Sequence, residues 1–412
     1  MAVLPNIVSQ HVEDSAMLWL IRDVGVVAPH YRLWELARHD NRLAGHLDGL
    51  RVAGDDGWRF ARKELEDHPE PGEFFGPAVL AFESGNQARI REVIEKAAAD
   101  RLNLRPIVSA LGWLDDATAG PDHAMQLVHS DLAAARLVGV AGGAILRALP
   151  AAVLAKAITD KDPWVMARAA RAAGELGAAQ FAGTLRSMLS ARELPTRFWS
   201  AWSLALVSGD SSAAAELRTI ALTEPRFRRR AVDMAACRGD PRTTKAWLPG
   251  LEATAGGKRL ALQALGAIGD PDAVPRLLDE MKDPPVARVA AEAFAMITGV
   301  HISYDELEGQ QPEGFQSGPT EDPADEDVAM DPDGNLYWPD PAKCAKWWSL
   351  NRNRFSVGTR YLCGKPMTPE SLREVLKNGY QRQRAAAALE LAIREPGKPL
   401  FEVRAPGFRQ HV

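Results

Sequence analysis

Cysteine is nearly absent: the 412 residues contain three, Cys237, Cys344 and Cys363. Without any Cys-x-x-Cys spacing this odd set favours free thiols in a reducing compartment over a disulfide framework or a cysteine zinc site. A dominant charge is missing too. Lys and Arg number 49 against 54 Asp and Glu, a net charge of −5 with a pI near 6.0, so no global electrostatic footprint for nucleic acid exists. Long apolar runs are also wanting. The most apolar early stretch, "AMLWLIRDVGVVA", is interrupted by Arg22-Asp23 and falls short of the roughly 20 residues a spanning helix needs. The opening "MAVLPNIVSQHVED" has no basic region followed by an apolar core, so no secretory signal is expected. A cytoplasmic protein follows, with export by a route that uses no cleavable signal left open. No G-x-G-x-x-G or Walker context surrounds the glycines, so they read as punctuation rather than a phosphate cradle.

What is present is a repeat. In "ALQALGAIGDPDAVPRLLDEM", Ala261, Ala264, Leu265 and Ile268 fall on one helical face. Gly269-Asp270-Pro271 then breaks the helix, and Val274, Leu277, Leu278 and Met281 make a second apolar stripe. Such a hairpin cannot bury both stripes by itself. The turn recurs at Gly177, Gly209, Gly239, Gly269 and Gly299, in steps of 32, 30, 30 and 30 residues. An earlier copy places Asp115 at the same position, and the one between, around Leu146, keeps the helical spacing but lacks the Gly-Asp turn. A fixed period near 30 with paired helices predicts an all-α fold, an α-solenoid of stacked hairpins. "ALGAIGDPDAVPRLL" resembles the short bacterial HEAT-like repeats almost position for position, most clearly over about 100–300.

The ends do not repeat. Residues 1–72 read as a helical N-terminal cap, 73–300 as the repeat solenoid, 301–340 as an acidic linker and 341–412 as a basic helical C-terminal domain. His39 and His46 share a helical face with Asp40 and Asp48 nearby. No third and fourth ligands follow at fixed spacing, so hydrogen-bonding histidines are the favoured reading over a metal site. From His301 to Asp340 there are twelve Asp/Glu and no Lys/Arg, a composition of linkers. Within it, "DPDGN" is read as a turn, since Pro332 and the missing terminal Glu disfavour a calcium loop. Residues 341–412 carry fourteen Lys/Arg against five Asp/Glu, charges expected to meet the acidic run intramolecularly. Tyr337, Trp338, Trp347 and Trp348 cluster within twelve residues. They either bury against the last repeats as a cap, or stay partly exposed beside Arg352 and Arg354 as anchors for a protein partner. Trp338, Trp347, Trp348, Arg352 and Arg354 are therefore the candidate partner-binding residues.

The blocks "HLDGLRVAG" and "WPDPAKCAKWWSLNRNRF…GTRYLCGKPMTPESLREVLKNGYQRQRAAAALELA" resemble a bacterial HEAT-repeat family of unknown function, often encoded near type VI secretion genes. That resemblance implies a protein-interaction scaffold, either an adaptor or chaperone-type accessory or an exported cargo, with spike or effector proteins as partners. It supplies no catalytic residues and no cofactor, and none is expected. An immunity-type inhibitor of a toxin would look similar. HEAT-like enzymes of the DNA glycosylase and bilin lyase types form the remaining class. A glycosylase needs a basic face, whereas residues 1–300 are net about −2 and "RFRRR" at Arg226–Arg230 reads as a solvated helix face. No nucleic acid is expected as a partner, and no membrane-spanning segment is expected.

Overall fold

A computed structural model describes residues 3–114, 119–320, 322, 324, 326 and 328–410; the turn expected at Asp115 lies outside them. The period of about 30 predicts paired helices, and the chain is all-α, of the solenoid class built from helical hairpins. Internal contacts divide it into two units. The first holds Met1–Val27, Tyr31–Ser208 and Glu395–Val412, the second Ala28–His30 and Gly209–Arg394.

The first unit opens with α1 (Pro5–Gly25), α2 (Leu33–Ala53) and α3 (Asp55–Asp67). Hairpins follow as α4 (Phe75–Ser84) with α5 (Gln87–Ala97), α6 (Leu104–Trp113) with α7 (Ala119–Leu127), and α8 (Ala133–Ile145) with α9 (Ala151–Ala157). Then come α10 (Pro163–Glu175) with α11 (Ala182–Ser187), and α12 (Leu194–Ser208). First helices stack on one another, α4 on α6, α6 on α8, α8 on α10 and α10 on α12. Alanines at 167, 169, 170, 172 and 173 are buried and let α10 approach its neighbours closely. The second unit continues with α13 (Ser211–Thr223), α14 (Pro225–Arg238), α15 (Pro241–Glu252), α16 (Gly257–Ile268), α17 (Val274–Glu280) and α18 (Pro284–Thr298). Here α14 stacks on α16 and α16 on α18. Past the acidic segment lie α19 (Pro341–Asn351), the short ribbon β1 (Tyr361–Leu362) and β2 (Lys365–Pro366), α20 (Pro369–Asn378) and α21 (Gln381–Arg394).

The turn chemistry follows the repeat. Gly177, Gly209, Gly269 and Gly299 all have positive φ, while Asp210, Asp240 and Asp270 accept backbone N–H bonds as N-caps of the following helices. Gly239 departs from the pattern, with φ of −75° in extended backbone. The structure adds another copy: Gly85 ends α4 in the left-handed conformation and Asn86 caps α5. Where the repeat lacks its glycine, Arg147 itself takes φ of 56°. The hairpin core contains Ala261, Ala264, Leu265, Ile268, Val274, Leu277 and Met281. Leu278, expected there, is only half-buried, because α17 turns its Val274–Leu277 edge inward.

Candidate partner-binding surface

The C-terminal residues lie along the hairpin turns. In the second unit Arg360 donates to the carbonyls of Ala267 (3.1 Å) and Ile268 (2.8 Å) at the end of α16, and of Cys237 (3.2 Å) near the end of α14. Its guanidinium also pairs with the buried Glu390 of α21. A guanidinium satisfies orphan carbonyls and suits the negative end of the helix dipole. Tyr361 N–H then bonds to Gly269 O (2.8 Å), Cys363 N–H to Met296 O (2.7 Å) and Gly364 N–H to Ile297 O (3.1 Å). In the first unit Leu400 N–H donates to Glu175 O (2.9 Å), Arg147 donates to the carbonyls of Ala144 and Leu400, and Gly407 N–H bonds to Asp40 Oδ2 (2.7 Å). Arg409 reaches the Leu114 carbonyl and Phe408 packs edge-on against Trp113.

Against this framework the five candidate residues fall into two places. Trp338 is half-buried, with Phe315 edge-on at 5.1 Å and the Arg288 guanidinium 4.5 Å from its ring centroid. Trp347 meets Phe294 of α18 (5.8 Å) and Trp348 meets Phe355 (5.4 Å), both half-buried. Cys344 is the buried residue of α19. Arg352 and Arg354 are exposed in the turn after α19, and Arg354 donates to Asn351 Oδ1 (3.0 Å). Beside them stand Leu350 and Val357, each 71% exposed. The aromatic residues thus hold the segment down while an arginine and aliphatic edge faces water.

The basic residues of this block do not chiefly meet the acidic run. Lys343 does, through Asp340 and the Glu308 carbonyl, but Arg360 pairs with Glu390 and Arg382 with Glu292 of α18. The acidic run instead draws arginines from the repeats. Asp333 is gripped at both oxygens by Arg259 of α16, and Asp331 pairs with Arg288 of α18 (2.7 Å). "DPDGN" is a turn whose carboxylates are committed to guanidinium groups. These arginines had a readable signal. Arginine recurs at 105, 136, 168, 197, 228, 259 and 288, in steps of 29 to 32. Arg136 shows the local use of that position: it clamps Asp160 and donates to the carbonyls of Ser130 and Asp131. Arg228, inside "RFRRR", likewise binds the carbonyls of Leu222 and Ala255.

His39 and His46 are not joined. His39 is buried on the Leu18 carbonyl (2.9 Å), whereas His46 Nδ1 lies 3.2 Å from His11 Nδ1 and 3.5 Å from Asp14. Among the described residues no group of three His, Cys, Asp or Glu side chains is arranged to hold a metal ion. The cysteines are free, and burial pushes the Cys344 and Cys363 thiols up to about 12 and Cys237 well above its ordinary value. Protonated thiols of this kind are poor nucleophiles. Among the described residues no helix is long and apolar enough to cross a membrane.

No curated protein matches the chain. A family model described as HEAT repeats matches residues 151–238, the stretch from α9 to the end of α14, so the chain is similar there to a class of helical repeats that serve as protein-interaction modules.

Proposed function

We propose that the chain is a non-enzymatic protein-binding scaffold whose partner docks on the edge after α19, formed by Leu350, Arg352, Arg354 and Val357 over the half-buried Trp347 and Trp348. The observation that carries this reading is the pairing of two aliphatic side chains, each 71% exposed, with two exposed arginines on a segment fastened from beneath by aromatic packing. Arginine and large apolar groups on a rigid support are the composition of interface anchors. The similarity to HEAT repeats supports the scaffold class. The resemblance of the terminal blocks supports the finer reading, an adaptor, chaperone-type accessory or exported cargo of type VI secretion that binds a spike or effector protein.

Affinity recovery from the native host tests both levels. The tagged wild type should retain a spike or effector protein that the Leu350→Asp, Arg354→Glu variant loses at unchanged melting temperature. Identical recoveries from the two would remove the α19 edge as the docking surface. A retained toxin whose activity the chain blocks would recast it as an immunity protein.

A further inference from the structure

Of residues 328–337 only Asp333 is buried; Val328 and Met330 are 77% and 78% exposed, and Pro332, Gly334, Asn335 and Tyr337 face water. The segment therefore adheres to the repeats through its carboxylates rather than through an apolar core. Arg259 takes both oxygens of Asp333, with Nη1 on Oδ2 and Nη2 on Oδ1, the fork geometry that makes arginine selective for carboxylates. Arg288 places Nη2 on Asp331 Oδ2 (2.7 Å) and Nη1 on the Asp333 carbonyl (3.0 Å), with its Cζ over the Trp338 ring. Arg259 and Arg288 stand at equivalent places in successive repeats, where Arg136 binds Ser130, Asp131 and Asp160 on either side of its hairpin and Arg228 binds the Leu222 and Ala255 carbonyls. Arg288 is 6% exposed, and among the described residues its Nε is buried without a partner.

We propose that Arg259 and Arg288 form a receptor site for an Asp-x-Asp segment of a partner protein, and that the chain's own Asp331-Pro332-Asp333 is a built-in occupant which such a segment displaces. The downstream anchor survives the exchange, because Trp338 O accepts from Gly309 N–H (2.9 Å) and Asp340 N–H donates to Leu307 O (2.8 Å). The local tether keeps the effective concentration of the occupant high, so the free site is populated in only a fraction of molecules and apparent affinity falls by that fraction. This site is separate from the α19 edge, and its assay requires no native partner, so the two readings fail separately.

The probe is a fluorescein-labelled peptide of residues 329–337, AMDPDGNLY, followed by anisotropy on the full chain. The Asp331→Asn, Asp333→Asn variant should bind it at least about ten-fold more tightly than the wild type, since its own segment no longer competes. Adding Arg259→Gln should abolish that gain. Exchange mass spectrometry on the wild type covers the case of a misfolded variant: excess unlabelled peptide should speed amide exchange in 331–337 while leaving α16 and α18 unchanged. A folded Asn variant that binds no better than wild type, a gain that survives Arg259→Gln, or unaltered exchange in 331–337 would each overturn the proposal.

Discussion

Gly269 carries two constraints at once. Its φ of 73° is open to glycine at little cost, and a Cβ there would stand 2.4 Å from the Tyr361 carbonyl oxygen. Gly269→Val should therefore cost more than about 2 kcal/mol, combining left-handed strain with a clash against backbone that cannot move aside. Urea denaturation measures it, and a loss below half that figure would mean the ribbon does not seat on the turn. In the same hairpin Leu277 is fully buried and Leu278 half-exposed. Leu277→Ala should cost about 2–5 kcal/mol and Leu278→Ala clearly less. Equal losses would show that the phase of α17 is wrong. Arg147 pays left-handed strain where its neighbours have glycine, and its guanidinium returns two carbonyl contacts that glycine cannot make.

Among the elements, the ribbon β1–β2 and the terminal residues 395–410 act as fasteners on hairpin ends. Arg360 links α14, α16 and α21 through three carbonyls and Glu390, which is 1% exposed. Arg360→Ala should cost about 3–5 kcal/mol, mostly from leaving a buried carboxylate short of its main partner. Truncation after Arg394 removes the fastener of the first unit. Amide exchange should then rise at Leu146–Ala148 and Glu175–Ala178, while the Cys363 and Gly364 amides, which donate to the Met296 and Ile297 carbonyls of α18, stay protected. Uniform loss of protection would point to general unfolding rather than a local fastener.

Over the whole molecule the net charge is only −5, and acid response is expected to follow the buried carboxyls Glu175 and Glu402. Burial pushes the Glu175 carboxyl up, but Arg168, Arg171 and Arg147 outweigh it and hold it down at about 2. A depressed carboxyl stabilises the fold fully above its ordinary value and loses that contribution as pH falls toward the depressed one. The term is on the order of 3 kcal/mol at neutral pH, so stability should decline below about pH 4.5, and Glu175→Gln should flatten that limb. Glu402 has the opposite sign. Burial, with Glu175 beside it, raises its carboxyl, so its neutral form fits the fold and its contribution fades as pH rises. Glu402→Gln should leave neutral-pH stability equal or higher, with the difference from wild type shrinking in acid; thermal melts across pH read both variants.

The sequence by itself determined what is periodic: the helical hairpins, the glycine and aspartate turns, the all-α solenoid class and the inward stripes around Leu265. These depend on neighbours three or four residues away, or on a step of about 30, and such relations are visible in a linear string. Arg259 and Arg288 were readable in the same way, as members of a seven-fold arginine series, but the series does not say which carboxylates they meet. Only tertiary structure decided that Asp331 and Asp333 lie on those arginines, that Trp338 packs on Arg288 and Phe315, and that His46 faces His11 rather than His39. It also decided where the C-terminal block goes. Its bonds run from Arg360 to residues 92 and 123 positions away and from Arg147 to one 253 positions away. They are made by backbone carbonyls and by single guanidinium groups, which every helix end and every arginine offers alike. No local pattern distinguishes the helix end that is chosen, because the choice is made by the path of the folded chain.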